Sequence, residues 1–150
     1  MSRIEYNESD DILSYGRWEG RVKMALKGKP GQAMLRELEA ALEAMPEQRL
    51  IYARLCDANG GVCALGALIT HRYIAGGLSE FDARRKLHRL SYGSETDYEV
   101  AAFAVRQIGI TNTLAWLIQE ANDELAPSDP EARHAFVLRW VRSKIKEPAS

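Results

Sequence analysis

Residues 57–68 read DANGGVCALGAL, and the fold prediction starts from this stretch. Asn59-Gly60 is the strongest two-residue signal for the loop of a β-hairpin. The preceding residues 49–56, RLIYARLC, are rich in the branched and aromatic side chains that strands favour. We therefore predict at most one short β-hairpin, over about residues 50–63.

The two cysteines of the sequence flank this loop. With Asn59 and Gly60 as a two-residue loop, Cys56 lies directly opposite Cys63, close enough for a disulfide. Such a bond would form in an oxidising compartment, whereas the cytosol keeps thiols reduced. Free thiols and a disulfide are both compatible with this register.

Residues 63–77, CALGALITHRYIAGG, are predicted to form a helix that ends at a pair of glycines. Its first two turns are apolar on every side, which is typical of a helix at the centre of a core. A glycine at position 66 destabilises the helix by about 1 kcal/mol relative to alanine. We expect as compensation that a neighbouring helix packs closely on the small-residue face of Cys63, Gly66, Ala67 and Thr70.

Amphipathic patterns on both sides of this segment predict the remaining helices, with prolines, glycines and capping residues at their ends. They cover residues 14–28, 30–45 and 79–90, two helices within 98–121 broken at Gly109, and a last helix from Pro130. The fold class is therefore mainly α, a single compact domain of six to seven helices. We place this domain at residues 16–147, after an acidic N-terminal segment, 1–15, that we expect to be flexible.

Length and composition are those of one globular domain. The chain has 150 residues, of which 46% are hydrophobic and 27% charged, and its formal net charge is −1. It contains no apolar run of the roughly 20 residues that a membrane span needs, and MSRIEYNESDD lacks the pattern of a secretory signal. We therefore predict a cytoplasmic protein without a membrane partner and without an overall attraction to nucleic acid.

Positive charge is nevertheless concentrated at two places. We interpret both as candidate partner-binding clusters, with ordinary solvated helix faces as the alternative. The first cluster comprises Arg17, Arg21, Lys23 and Lys27, and the second comprises Arg84, Arg85, Lys86 and Arg89.

Cys63 raises the question of nucleophilic chemistry. A thiol at a helix N-terminus gains reactivity because the helix dipole lowers its pKa. It also needs a base, and His71 lies eight residues along the same helix, about 12 Å away at 1.5 Å per residue. The apolar neighbours Val62, Ala64 and Leu65 favour a buried structural cysteine.

No other arrangement of residues indicates catalysis. The histidines, residues 71, 88 and 134, and the two cysteines show no metal-ligand spacing. ANGG lacks the lysine of a phosphate-binding loop, and no nucleophile-elbow serine motif occurs. We therefore predict that the protein is not an enzyme and has no catalytic residues, cofactor or metal site.

Residues 104–119, AVRQIGITNTLAWLIQ, have the pattern of a helix-turn-helix with Gly109 in the turn. Residues 112–124 contain no lysine or arginine but three acidic residues. Because DNA affinity comes largely from cation–phosphate contacts, DNA binding through segment 98–121 would need one of the basic clusters. A helical hairpin within the core is the alternative.

Asn122-Asp123 is a natural helix exit, because asparagine tolerates the left-handed conformation and both side chains can bond local backbone. A structural cap is the simpler interpretation of this pair. Together with Cys63, the pair is also a candidate pocket for a small molecule or nucleotide.

The sequence resembles a group of small uncharacterised phage, prophage and bacterial proteins. Four features carry the resemblance as a set: GGVCALGAL, the later GI helix pair, ND, and the proline-started last helix with RW. The resemblance extends over about residues 16–146, and CALGA is its most specific part. It implies no activity, but small phage accessory proteins without catalytic motifs commonly act by binding. The matching positions are Gly61, Cys63, Ala64, Gly66, Ala67, Asn122, Asp123 and Trp140.

Three hypotheses on function follow. The first is a non-enzymatic phage or prophage accessory protein that binds a host or phage protein in the host cytoplasm, as an inhibitor of a host defence system. The second is a DNA-binding protein that uses segment 98–121 with a basic cluster. The third is a small-molecule or nucleotide-binding protein with a pocket near Cys63. A homo-oligomer is compatible with each, because any amphipathic helix could bury its face against a second copy.

Overall fold

The computed structural model describes the backbone of residues 8–146 and the side chains of residues 17–146. The prediction of a mainly α domain with six to seven helices is confirmed. The helices are α1 (Glu8–Lys27), α2 (Lys29–Ala44), α3 (Ala64–Ala75), α4 (Glu80–Leu90), α5 (Asp97–Ile108), α6 (Asn112–Glu120) and α7 (Pro130–Lys144), and a short π-helix, Ala121–Leu125, continues α6.

Helix α3 lies at the centre of the core. Its first seven residues, from Ala64 to Thr70, are all buried, and the helix contacts α2, α4, α5 and α6. The apolar character of the CALGAL segment on every side follows from this position, since each face of the first two turns meets another element.

The close approach at Gly66 comes from a loop and not from a neighbouring helix, so this part of the prediction is wrong. A Cβ atom at Gly66 would lie 2.0 Å from the carbonyl oxygen of Leu55 and 3.1 Å from the Cβ of Val62. Both residues belong to the irregular segment that precedes α3. The small residue therefore lets the main chain of this segment cross the helix surface.

The predicted hairpin is reduced to one antiparallel bridge between Cys56 and Val62, and its register differs by one residue from the prediction. The Asp57 backbone N–H donates to the Gly61 carbonyl (2.9 Å), and Asp57 Oδ1 accepts from the Gly61 N–H (2.8 Å). The loop therefore has three residues and ends on Gly60 at φ +83°. Cys56 thus faces Val62 instead of Cys63, and both cysteines are free and buried.

Residues 49–55 form no strand, which corrects the prediction from RLIYARLC. Their backbone groups bond to several different elements and not to one partner strand. Leu50 N–H donates to the Pro130 carbonyl (3.1 Å), and Ile51 N–H donates to the Val62 carbonyl (3.0 Å). Tertiary contacts therefore override the strand propensity of the segment.

Helix α1 begins at Glu8, within the segment 1–15 that the sequence analysis sets apart as flexible, and six residues before its predicted start. Residues 1–7 of that segment lie outside the described residues.

The buried side chain of Gln32 on α2 binds the main chain at the end of α7. Its amide donates to the Lys144 carbonyl (2.9 Å) and accepts from the Lys146 N–H (2.7 Å).

Candidate functional site

Cys63, Asn122 and Asp123 meet at the junction of α3, the π-helix and the irregular segment. Cys63 is the N-cap of α3, and its Sγ accepts from the Gly66 N–H at 3.5 Å. Asn122 is 1% exposed, and its Oδ1 accepts from the Ala64 N–H (3.1 Å) while its Nδ2 donates to the Ile51 carbonyl (3.0 Å). These residues therefore hold three chain segments together, and none of the three lines the two large cavities described below.

Asp123 supports an unusual backbone conformation in the same junction. Ala53 has φ +63°, and the Arg54 N–H donates to the Tyr52 carbonyl (2.7 Å), which together define a γ-turn. Asp123 Oδ1 accepts from the Ala53 N–H at 2.9 Å. The carboxylate compensates for a conformation that alanine rarely adopts.

Both thiols lie in environments that disfavour the thiolate. Burial raises the pKa of Cys63 to about 12, and the nearby Asp123 carboxylate adds to the effect. Burial also raises the pKa of Cys56, to about 11, together with the charge of Asp57. Because the thiolate is the reactive species, burial and these raised pKa values keep both thiols in the less reactive protonated form near neutral pH.

We expect neither thiol to react with a small alkylating reagent near neutral pH until the protein unfolds. Unfolding returns each pKa to its ordinary 9.0. The thiols therefore contribute stability below pH 9, and this contribution is lost as the pH rises towards the folded-state values of about 11 and 12. Intact mass after alkylation and urea unfolding at increasing pH measure the two effects. Rapid native labelling of Cys63 would contradict the prediction.

The second basic cluster lines a cleft of about 890 Å³ between α4 and the loop of residues 57–60. Arg84 fixes one wall, because it donates to Glu80 Oε1 (2.8 Å) and to the Gly60 carbonyl. Its side chain is 20% exposed. Arg84 is therefore a structural link between helix and loop, whereas Arg85 and Arg89 are exposed and Lys86 is half-buried.

Two aromatic residues accompany these cations, and neither was predicted from the sequence as part of a site. Phe81 is 69% and Tyr92 86% exposed, which is unusual for side chains of this size. The Arg85 guanidinium lies over the Phe81 ring at 5.7 Å, and the His88 ring meets Tyr92 edge-on at 6.5 Å. Phe81, Arg85 and His88 are four and three residues apart, which places them on one stripe of α4, and Tyr92 lies in the turn that follows the helix. We call Phe81, Arg85, His88, Arg89 and Tyr92 the α4 face.

Three of the four cations of the second basic cluster have no carboxylate partner in the part of the chain that the structure describes. Within residues 17–146, no carboxylate lies within salt-bridge distance of Arg85, Lys86 or Arg89. Lys86 instead lies over the Tyr73 ring, 4.3 Å from its centre. The cleft also contains acidic side chains at residues 47, 57 and 82, so its overall charge is close to balanced.

The first basic cluster is divided between two surroundings. Arg17 and Arg21 line a largely apolar groove of about 940 Å³ between α1 and α2, which also reaches Thr111 and Thr113 at the start of α6. Lys23 and Lys27 are exposed but do not line this groove. The two basic clusters thus line different cavities.

The helix-turn-helix pattern corresponds to α5 and α6. Gly109 ends α5 in the left-handed conformation, and the Thr111 side chain caps α6 by accepting from the Leu114 N–H. The buried face of α6 includes Ala115 and Ile118. The α5–α6 pair therefore packs into the core through this face.

Two further observations concern metals and membranes. In residues 17–146, no group of three or more histidine, cysteine or carboxylate side chains could hold a metal ion. The buried His134 contacts the main chain instead, with its Nε2 2.9 Å from the Leu42 carbonyl oxygen. No helix in the described range is long and apolar enough to cross a bilayer.

The fold and the α4 face define a helical domain with an exposed aromatic and cationic surface. Comparison with protein-family models, curated proteins and solved structures finds no match to this chain.

Proposed function

We propose that this chain is a non-enzymatic binding protein that engages another protein through the α4 face. The observation that carries the proposal is the exposure of Phe81 and Tyr92 next to Arg85 and Arg89, which have no carboxylate partner among the described residues. Aromatic residues and arginine are enriched at protein interfaces and contribute most of the binding energy there. Exposed side chains of this kind indicate a surface that a partner covers.

The resemblance to small phage and prophage proteins supports a more specific version of this proposal. Accessory proteins of this type act in the cytoplasm of a bacterial host. We propose that the partner is a host or phage protein and that binding inhibits a host defence system. The α4 face is the surface that would make the contact.

The double variant Arg85→Glu/Arg89→Glu should lose its protein partner. Reversing two unpaired charges at the centre of an interface places like charges opposite each other and reduces affinity by at least about tenfold. The measurement is quantitative affinity capture from a bacterial host lysate with tagged wild-type and variant protein. We expect one protein at near-stoichiometric yield with the wild type and a tenfold lower yield with the variant.

The matched control is Arg139→Glu/Lys29→Glu, which changes the net charge equally at exposed positions on α7 and α2. It should retain the partner, and circular dichroism should show that both double variants fold. Equal capture by all three proteins, or no stoichiometric partner for the wild type, would contradict the proposal.

DNA binding is a second candidate, favoured by the position of Arg17 and Arg21 beside the N-terminus of α6. These arginines could supply the phosphate contacts that α6 itself lacks. On this hypothesis a DNA duplex binds the protein at low salt, and Arg17→Glu/Arg21→Glu lowers the affinity about tenfold. Fluorescence anisotropy with a labelled duplex measures it, and absence of salt-dependent binding at low ionic strength would eliminate this candidate.

A further inference from the structure

We propose that the cleft between α4 and the loop of residues 57–60 binds an acidic peptide segment of the partner protein. This inference rests on the proposed function and adds the chemistry of the ligand. The cleft has a volume of about 890 Å³, which is within the range of about 300–1,000 Å³ that ligand-binding pockets occupy.

The cations available to a ligand are those that the fold does not use. Arg84 is occupied by Glu80 and by the Gly60 carbonyl. Arg85 and Arg89 are exposed and have no carboxylate within salt-bridge distance in the described range. A partner carboxylate would therefore form a new ion pair and would not displace an existing one.

Arg85 is oriented for this role before a ligand arrives. Its guanidinium lies over the Phe81 ring, 5.7 Å from the ring centre, and this cation–π contact favours that position of the side chain along the helix. A guanidinium held in this way loses less conformational entropy when it binds a carboxylate with two parallel hydrogen bonds. Phe81 also offers an apolar surface, as does the half-buried Leu78 at the edge of the cleft.

The charge distribution favours a peptide over a nucleic acid. Glu47, Asp57 and Asp82 line the same cleft as the cations. A phosphate backbone carries a charge at every nucleotide and would meet these carboxylates, and its affinity depends on the number of unopposed cations. A peptide can place its few carboxylates opposite Arg85 and Arg89 and turn neutral or apolar side chains toward the acidic wall.

The test is selection of random peptides, displayed as a library, against the immobilised full-length chain. We expect the enriched peptides to contain more aspartate and glutamate than the starting library. Their binding should weaken at least about tenfold with Arg85→Glu/Arg89→Glu and stay unchanged with Arg139→Glu/Lys29→Glu. Titration with labelled oligothymidine measures nucleic-acid binding to the same proteins.

Three results would overturn the inference. The selected peptides could show no enrichment of acidic residues, or they could bind Arg85→Glu/Arg89→Glu, the α4 variant, as tightly as wild type. The third result is that oligothymidine binds more tightly than every selected peptide. Failure of the proposed function gives a different pattern, because affinity capture would then be insensitive to the α4 variant. The affinity capture could depend on the α4 face while the selected peptides are not acidic. This combination would leave the proposed function intact and reject only the acidic ligand.

Discussion

Replacing Gly66 with alanine should destabilise the protein by about 3 kcal/mol, although alanine is the better helix former by about 1 kcal/mol. The added Cβ would lie 2.0 Å from the Leu55 carbonyl oxygen and 3.0 Å from its carbon. These are main-chain atoms of a residue that is 1% exposed, so relief requires the whole irregular segment to move. Packing at this position therefore outweighs the gain in helix propensity.

Gly20→Ala is the matched control for this prediction. Gly20 also lies within a helix, α1, but a Cβ there would have nothing within 4 Å. The control should stabilise the protein by about 0.5–1 kcal/mol, because only helix propensity changes. Urea unfolding of the three proteins measures both values. A Gly66→Ala protein as stable as wild type would show that the loop does not contact α3 as described.

The helices could be predicted from the sequence because their signals are local. The Thr96 capping box, the left-handed Gly109 and the Asp129 cap each act on groups within a turn of themselves. Such signals need no knowledge of the tertiary structure. The start of α1 at Glu8 was missed because the apolar stripe used to define that helix begins later.

The hairpin register could not be predicted from Asn59-Gly60 alone. The Asp57 carboxylate accepts from the Asn59 and Gly61 N–H groups at 3.0 and 2.8 Å, which favours a three-residue loop over the two-residue one. The dipeptide signal does not include this side chain. The change of one residue in register then separates Cys56 from Cys63 across the ladder.

The cations of the candidate site could be predicted from the sequence, but the cleft that they line could not. Arg85 and Arg89 are part of a visible basic run, and Phe81 lies on the same helical stripe as Arg85. The opposite wall comes from the loop near Gly60, and only the folded chain brings it to Arg84. The sequence pattern therefore identifies the wall that α4 forms, but not the wall that the loop of residues 57–60 forms.

Asn122→Ala should cost about 3 kcal/mol of unfolding free energy, because one side chain serves two distant parts of the chain. Its partners, the Ala64 N–H and the Ile51 carbonyl, lie 58 and 71 residues away in sequence. The buried Ala64 N–H and the part-buried Ile51 carbonyl would lose their partner, and a buried group left unsatisfied costs about 1–3 kcal/mol. The side chain also donates to Asp123 at 2.7 Å, so its loss releases the carboxylate that supports Ala53.

Asn112→Ala is the control, because Asn112 is exposed at the first turn of α6 and should change stability by less than about 0.5 kcal/mol. Urea unfolding gives the difference in free energy, and amide hydrogen exchange locates it. In Asn122→Ala the Ala64 and Ala53 amides should exchange faster than those in the middle of α7, since the junction opens before the helices do. Equal stability of the two variants would mean that Asn122 is an ordinary helix exit. A loss confined to Asn122→Ala would mean that the ND pair stabilises the fold by joining the irregular segment to α3.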